Sequence, residues 1–381
     1  MKIVIAADSF KGSADAPCVV KHLKRGALRV CPHAQVTELP ISDGGEGMLN
    51  AYLRTDGIRI PVRVTGPDGR PVQAAFGLLP DGTAVIEMAQ ASGITLAPQT
   101  GYNVRIASTY GTGELMRAAL DSGCRAMIIG IGGSATNDGG AGMACALGAR
   151  FLDKDGQPLA PGGAALQRLH RIDVSGLDPR LLQCRIVVAC DVQNPLCGPN
   201  GASAVYGPQK GASKEDVALL DAALAHYARL LHTQLGKDVA GQPGAGAAGG
   251  LGAALLAFCN AQMCPGIETV LDALNFEQAL SGASLVITGE GRIDSQSACG
   301  KVPVGVARRA KKAAPNVPVV AIVGSIGPGA ELVYQEGIDA ILPLPPYPMA
   351  LAECMAQTAP LLEAAAERAM RLMMAGTRLI P

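Results

Sequence analysis

The chain has 381 residues, 49% of them hydrophobic, with 32 basic and 32 acidic side chains and a formal net charge of zero. That length exceeds one ordinary core, so two domains are expected. Scattered, balanced charge leaves no basic face for nucleic acid, and 3% aromatic residues with no Trp leave little base-stacking surface.

Residues 2–7 (Lys2-Ile3-Val4-Ile5-Ala6-Ala7) form a continuous apolar run, too short for a secretory signal and read as a first buried strand. Helical spacing follows over 14–30 through Val19, Val20, Leu23, Ala27 and Leu28, then a strand at 36–40 and a helix start at 47–53. The middle opens as hairpins. Residues 61–76 surround a Pro-Asp-Gly turn, and a second pair runs through 77–88. Strands at 126–131 and 186–190 come next, with helices near 113–121, 214–235 and 249–262. The run 245–259 is apolar but broken by glycines and shorter than a membrane span. The closing part alternates again: strand 284–288, helix 303–314, strand 317–323, helix 329–336, strand 340–342 and a long helix over 350–375.

Short apolar runs alternating with helices mean a parallel sheet covered on both faces. The two end segments supply five strands, so the expected architecture is α/β: a flavodoxin-like doubly wound domain over 1–62 and 283–381, with a mixed α/β domain inserted at 63–282. An insertion of this kind leaves a cleft where ligands are expected. Eleven cysteines, an odd number with no Cys-x-x-Cys and mostly apolar neighbours, read as small core residues of a soluble, cytoplasmic protein. Five scattered histidines argue against zinc.

The densest chemistry lies in Gly130-Ile131-Gly132-Gly133-Ser134-Ala135-Thr136-Asn137-Asp138-Gly139-Gly140-Ala141-Gly142, between an apolar strand and a helix start. Free backbone N–H groups and the helix dipole make such a unit an anion site, and glycines admit a phosphate closely. The plainer alternative is a glycine turn with Ser134 or Asp138 as N-cap. Six glycines among thirteen residues favour phosphate. Four other strand ends carry candidates: Asp8-Ser9-Phe10-Lys11, Asp43-Gly44-Gly45-Glu46-Gly47, Asp191 after strand 186–190, and Glu290-Gly291-Arg292-Ile293-Asp294-Ser295. Ligands of doubly wound folds sit at that edge, and a carboxylate there suits Mg²⁺ or base work. Lys210, in Gly207-Pro208-Gln209-Lys210-Gly211, is a weaker candidate. Gly300-Lys301 is not a Walker A loop, since Val302 replaces the required hydroxyl; the 244–249 glycine pattern lacks the preceding strand of a dinucleotide fingerprint.

Taken in order, the 8–11, 43–47, 111–115, 132–142, 207–211, 243–252 and 288–297 segments resemble the type 1 glycerate kinase family of bacteria over nearly the whole chain, and the Gly-Gly-Ser-Ala-Thr-Asn-Asp-Gly-Gly string is specific to it. The resemblance implies ATP-dependent phosphorylation of D-glycerate, usually at the 2-hydroxyl, in glyoxylate, glucarate and galactarate breakdown. It also implies a flavodoxin-like domain carrying an α/β insertion. Ala7 stands where relatives often carry Pro, and Tyr110 where Arg is common, which leaves open its effect on substrate affinity. Rival readings are a glycerate 3-kinase, a binding module without turnover, and a dehydrogenase acting on hydroxypyruvate or glycerate, the last disfavoured by the failed fingerprint.

The chemistry assigns Asp8, Lys11, Asp191, Arg292 and Asp294 to catalysis, with Asp191 and Asp294 as partners across the cleft. ATP is expected on Gly132, Gly133, Ser134, Thr136, Asn137, Asp138 and Lys210. Glycerate is expected on Ser9, Asp43, Glu46, Glu290 and Ser295, and Mg²⁺ on Asp191 and Asp43. No nucleic-acid or membrane partner is expected, and the protein is expected to be a monomer or homodimer.

Overall fold

A run of buried aliphatic residues on both faces makes β1 (Lys2–Ala7) an interior strand, and β2 (Gln35–Pro40) follows after the helix Ala16–Val30. That helix begins where expected because the Asp15 carboxylate accepts from the Cys18 N–H at 2.9 Å and a proline sits in its first turn. The next strands are β3 (Ile58–Thr65), β4 (Pro71–Leu78), β5 (Thr83–Glu87), β6 (Ala126–Gly130), β7 (Arg150–Leu152), β8 (Arg171–Asp173), β9 (Arg185–Ala189) and β10 (Gln262–Cys264). The chain closes with β11 (Leu285–Gly289), β12 (Arg292–Ile293), β13 (Val319–Val323), β14 (Ser325–Ile326) and β15 (Ala340–Pro343). The computed structural model describes residues 1–41, 47–53, 57–98 and 102–376.

The chain divides into two units, Met1–Asp43 with Ile267–Pro381, and Gly44–Gly266. In the first, five parallel strands run in the order β15-β13-β11-β1-β2. Counted within the unit this is 2-1-3-4-5, the flavodoxin-like order. In the second, the sheet runs β10-β9-β6-β5-β4-β3: four parallel strands, then an antiparallel hairpin. One apolar core, with Phe76, Leu115, Met127, Ile129, Leu224, Tyr227 and Leu251 among its members, supports that sheet.

Several expectations are corrected. The boundary near 62 moves to 43 because β3 pairs with β4 along its whole length, placing 58–62 in the second sheet. The boundary near 282 moves to 266 because Arg309, on the helix Val302–Ala313, bonds Glu268, Asp272 and Glu277, tying 267–282 to the first unit. The segment Ala330–Glu336 is 3₁₀ rather than α, and the last helix divides into Leu351–Ala356 and Thr358–Gly376. The helix Ala247–Cys259 carries three left-handed residues at its start, Ala248, Gly249 and Gly250. Among the described residues no helix is long and apolar enough to cross a membrane.

Candidate active site

Parallel register gathers three strand ends of the second unit. Glu87 of β5 lies opposite Gly130 of β6, which lies opposite Ala189 of β9. The glycine-rich loop therefore leaves its sheet between Glu87 and Asp191. Glu87 is buried and accepts from the Gly47 N–H at 2.5 Å and from Gln90 Nε2 at 2.9 Å. The sequence reading missed it by treating 83–87 as hairpin; an acid closing a buried apolar run was the available signal, the same one that singled out Asp191. The Asp191 Oδ1 accepts from the Gly266 N–H at 2.7 Å.

Within the loop, burial divides the residues sharply. Gly133 is exposed, with Gly132 and Ser134 half-buried beside it, while Thr136, Asn137 and Asp138 are fully buried. The Asp138 carboxylate accepts from the N–H groups of Thr109 (2.8 Å), Gly140 (3.0 Å) and Gly142 (3.2 Å) and from the Thr109 hydroxyl. The Thr109 Oγ1 also accepts from the Met143 N–H at 2.9 Å. The start of the six-residue helix Ala141–Ala146 is thus satisfied from within. The N–H groups of Gly140, Gly142 and Met143 therefore already have partners within the chain. Asp138, two residues before the N-cap Gly140, caps the helix start through the Gly142 N–H, and its fully buried carboxylate is bonded by four donors. Asn137 likewise turns inward, its Nδ2 donating to Ser203 Oγ at 2.9 Å.

The loop is also held from behind. The Gly139 N–H donates to the Gly249 carbonyl at 2.9 Å, and a Cβ on Gly249 would stand 2.0 Å from the Thr136 carbonyl oxygen. The left-handed turn at 248–250 exists to make that approach, which explains the glycine run that resembled a dinucleotide fingerprint. Tyr102 donates its hydroxyl to the Ala135 carbonyl at 2.7 Å, and burial raises its pKa, helped by the charges of Asp138 and Asp68.

Lys210 gains most from the geometry. It closes the short turn Pro208–Lys210, is only 3% exposed, and donates Nζ hydrogens to Ser134 Oγ and the Thr136 carbonyl oxygen, each at 2.7 Å. Among the described residues no carboxylate lies within ion-pair distance of it. Burial lowers its pKa from 10.5 to about 7, against a smaller opposing pull from Asp138. Burial in turn raises the Asp138 pKa, opposed by the donors from Thr109, Gly140 and Gly142. A buried, unneutralised amine beneath an exposed glycine turn is a place for an anion.

In the first unit, β1 and β11 pair with Ala7 opposite Gly289, so the loops after them are neighbours. The Asp8 N–H donates to the Gly289 carbonyl at 2.9 Å, and the Asp8 carboxylate accepts from the Ser9 N–H at 2.6 Å. Gly291 lies against the Phe10–Lys11 backbone, where a Cβ would stand 3.6 Å from Phe10 Cα. Lys11 is exposed. Glu290 is nearly buried and accepts from Ser297 Oγ at 2.6 Å. Arg292 does not emerge directly from the third strand. It lies on the separate β12–β14 ladder, its side chain 61% exposed and 3.3 Å from Asp294. Asp294 also accepts from the Gln296 N–H, and Ser295 is exposed. Asp43 and Glu46 lie outside the described residues.

The model of the glycerate kinase family matches residues 3–374. This chain belongs to the glycerate kinase family. It is 52% identical over 366 residues to a glycerate kinase of Halalkalibacterium halodurans, covering 96% of each chain. To the glycerate 2-kinase of Escherichia coli K12 it is 52% identical over 343 residues, covering 90% of each. The crystal structure of a Salmonella typhimurium LT2 protein assigned as glycerate kinase 2 superimposes with a TM-score of 0.86 at 48% identity, covering 99% of both chains.

A kinase of this family works on ATP, which brings the question of Mg²⁺. Among the described residues no three His, Cys, Asp or Glu side chains converge as a metal cage. Mg²⁺ in phosphoryl-transfer sites is held by one or two carboxylates plus the phosphates, so a carboxylate at a parallel strand end, as Asp191 is, suits it without a cage.

Proposed function

We propose that this protein transfers the γ-phosphoryl group of ATP to D-glycerate, at the 2-hydroxyl, as a cytoplasmic monomer or homodimer in glyoxylate, glucarate and galactarate breakdown. The observation that supports the phosphate side is Lys210, a buried amine bonded to Ser134 and Thr136 of the glycine-rich loop, with no carboxylate within ion-pair distance among the described residues. Family membership and the glycerate 2-kinase relative support the acceptor and its hydroxyl. The backbone at Gly132 and Gly133, Ser134 Oγ and Lys210 Nζ receive phosphate oxygens. Thr136, Asn137 and Asp138 shape the loop from inside. Lys210 neutralises charge that grows on the transferring group, the main task in a reaction with little covalent work for the protein.

Toward glycerate, Asp8 orients the attacking 2-hydroxyl and draws its proton, while Ser9, Glu290 and Ser295 bond the remaining 3-hydroxyl. Lys11 and Arg292 face the substrate carboxylate or the phosphoryl group. Asp191 would hold Mg²⁺, which when bound neutralises phosphate charge; Asp43, the other ligand expected from the sequence, lies outside the described residues. Asp191→Asn is expected to lower kcat by about 10²–10³-fold with the fold intact by circular dichroism, as for other groups acting mainly in the transition state. Asp294→Asn is the companion test; wild-type kcat in both would move the metal role to Asp43 or Glu46.

The decisive experiment follows ADP release with D-glycerate and identifies the product by ³¹P NMR. Glycerate-dependent ADP and 2-phosphoglycerate are expected. The 3-phospho isomer would overturn the regiochemistry. NADH formation without ADP would establish the dehydrogenase instead.

A further inference from the structure

Residues 88–94 carry no motif, yet they run along the glycine-rich loop and hold its backbone. The Met88 N–H donates to the Gly130 carbonyl at 3.0 Å, the Ile94 N–H to the Gly133 carbonyl at 2.8 Å, and the Ala135 N–H to the Ser92 carbonyl at 2.9 Å. The last two bonds flank an antiparallel bridge between Gly93 and Ser134. Among the described residues the N–H groups of Gly132, Gly133 and Ser134 bond nothing within the chain, and Gly133 is left-handed with φ +74°. Consecutive free N–H groups around a left-handed residue form an anion-binding concavity. Ser92 anchors this arrangement. It is fully buried, and its Oγ shares a 2.8 Å hydrogen bond with Oγ1 of Thr112, itself fully buried on the helix Tyr110–Asp121. The same helix start carries Thr109, which bonds Asp138 farther along the loop. One helix start thus grips the loop twice: through Thr109 at Asp138, and through Thr112 and Ser92 at Ala135.

We propose that Ser92 is a positioning residue for phosphoryl transfer: bonded to Thr112, it fixes the 133–135 backbone and so keeps the N–H groups of Gly132, Gly133 and Ser134 set for the phosphates of ATP. This rests on the phosphate reading of the loop given above. Both hydroxyls are fully buried, so neither touches the nucleotide and their effect passes through the loop backbone alone. The Ser92 side chain faces Thr112 while its carbonyl holds Ala135, so losing the side-chain bond loosens the carbonyl as well. Donors to phosphate act only when their geometry is set beforehand, which makes a buried bond behind them matter to ATP and not to glycerate.

The test is a double-mutant cycle read by steady-state kinetics, with urea denaturation alongside. Ser92→Ala and Thr112→Val, the latter nearly isosteric, are each expected to raise KM for ATP by about 3- to 10-fold, the worth of one neutral hydrogen bond. KM for D-glycerate should stay within about twofold. The double variant should be no worse than either single one, because each removes the same bond. Thr112→Ser keeps the hydroxyl and should restore a KM for ATP near that of the wild type. Additive losses, equal rises in both KM values, or a lower urea midpoint with unchanged KM for ATP would each overturn the assignment. Failure of both single variants to fold would mark the pair as scaffold and overturn it too. Lys210→Met separates the two levels: if it keeps wild-type kinetics the phosphate reading falls, whereas if only the Ser92 and Thr112 variants do, the positioning role alone falls.

Discussion

Lys210→Met is expected to lower kcat/KM for ATP by about 10²–10³-fold, the usual effect of removing one preorganised donor to developing phosphate charge. Met matches the length of the lysine stem and avoids the cost of burying an amine, so circular dichroism should show an unchanged fold. The same residue gives a pH signature. Its amine titrates near pH 7 in the folded protein against 10.5 ordinarily, because burial disfavours the charge. Below pH 7 both folded and unfolded chains carry the proton and the full desolvation cost opposes folding. Between about 7 and 10.5 only the unfolded chain is protonated, so this group makes stability rise with pH. Nucleotide binding runs the other way. Phosphate favours the ammonium form, so ATP affinity should fall by about tenfold per pH unit above pH 7, with a proton taken up on binding. Calorimetry in buffers of different ionisation enthalpy reads that proton, and Lys210→Met should abolish it. A wild-type affinity independent of pH from 6 to 9 would count against this role.

Asp138→Ala is expected to cost about 3–5 kcal/mol of stability, a large part of the 5–15 kcal/mol typical of a domain. Removing the carboxylate strands the N–H groups of Thr109, Gly140 and Gly142 and the Thr109 hydroxyl in a dry interior. Asp138→Asn keeps one acceptor but turns an amide donor toward those donors, so its loss should be intermediate. Urea denaturation measures both. If Asp138→Ala instead keeps its midpoint and loses only ATP affinity, the carboxylate is a ligand group and the capping assignment fails.

Much of the architecture is written locally. β1, β11 and β13 are buried, mainly apolar runs, Asp15 and the proline two residues on start the first helix, and the Pro-Asp-Gly turn sets the β3–β4 hairpin. Short elements with weak signals were not legible: β7 and β8 have three residues each, and β12 and β14 two, so their pairing depends on neighbours rather than on periodicity.

The sequence by itself determined the two-unit α/β organisation, the place of the glycine-rich loop between a buried strand and a helix, and the strand-end positions of Asp8, Asp191 and Glu290, because strand periodicity and turn chemistry are local properties. It could not separate Asp138 from Ser134 within one loop, nor rank Lys210 above a plain turn residue. Those distinctions depend on burial and on partners far along the chain: Thr109 capping through Asp138, Gly249 closing behind Thr136, and Lys210 reaching Ser134. Only the tertiary structure decided which polar groups face inward, since the cost of burying a charge is set by what surrounds it and not by its neighbours in sequence.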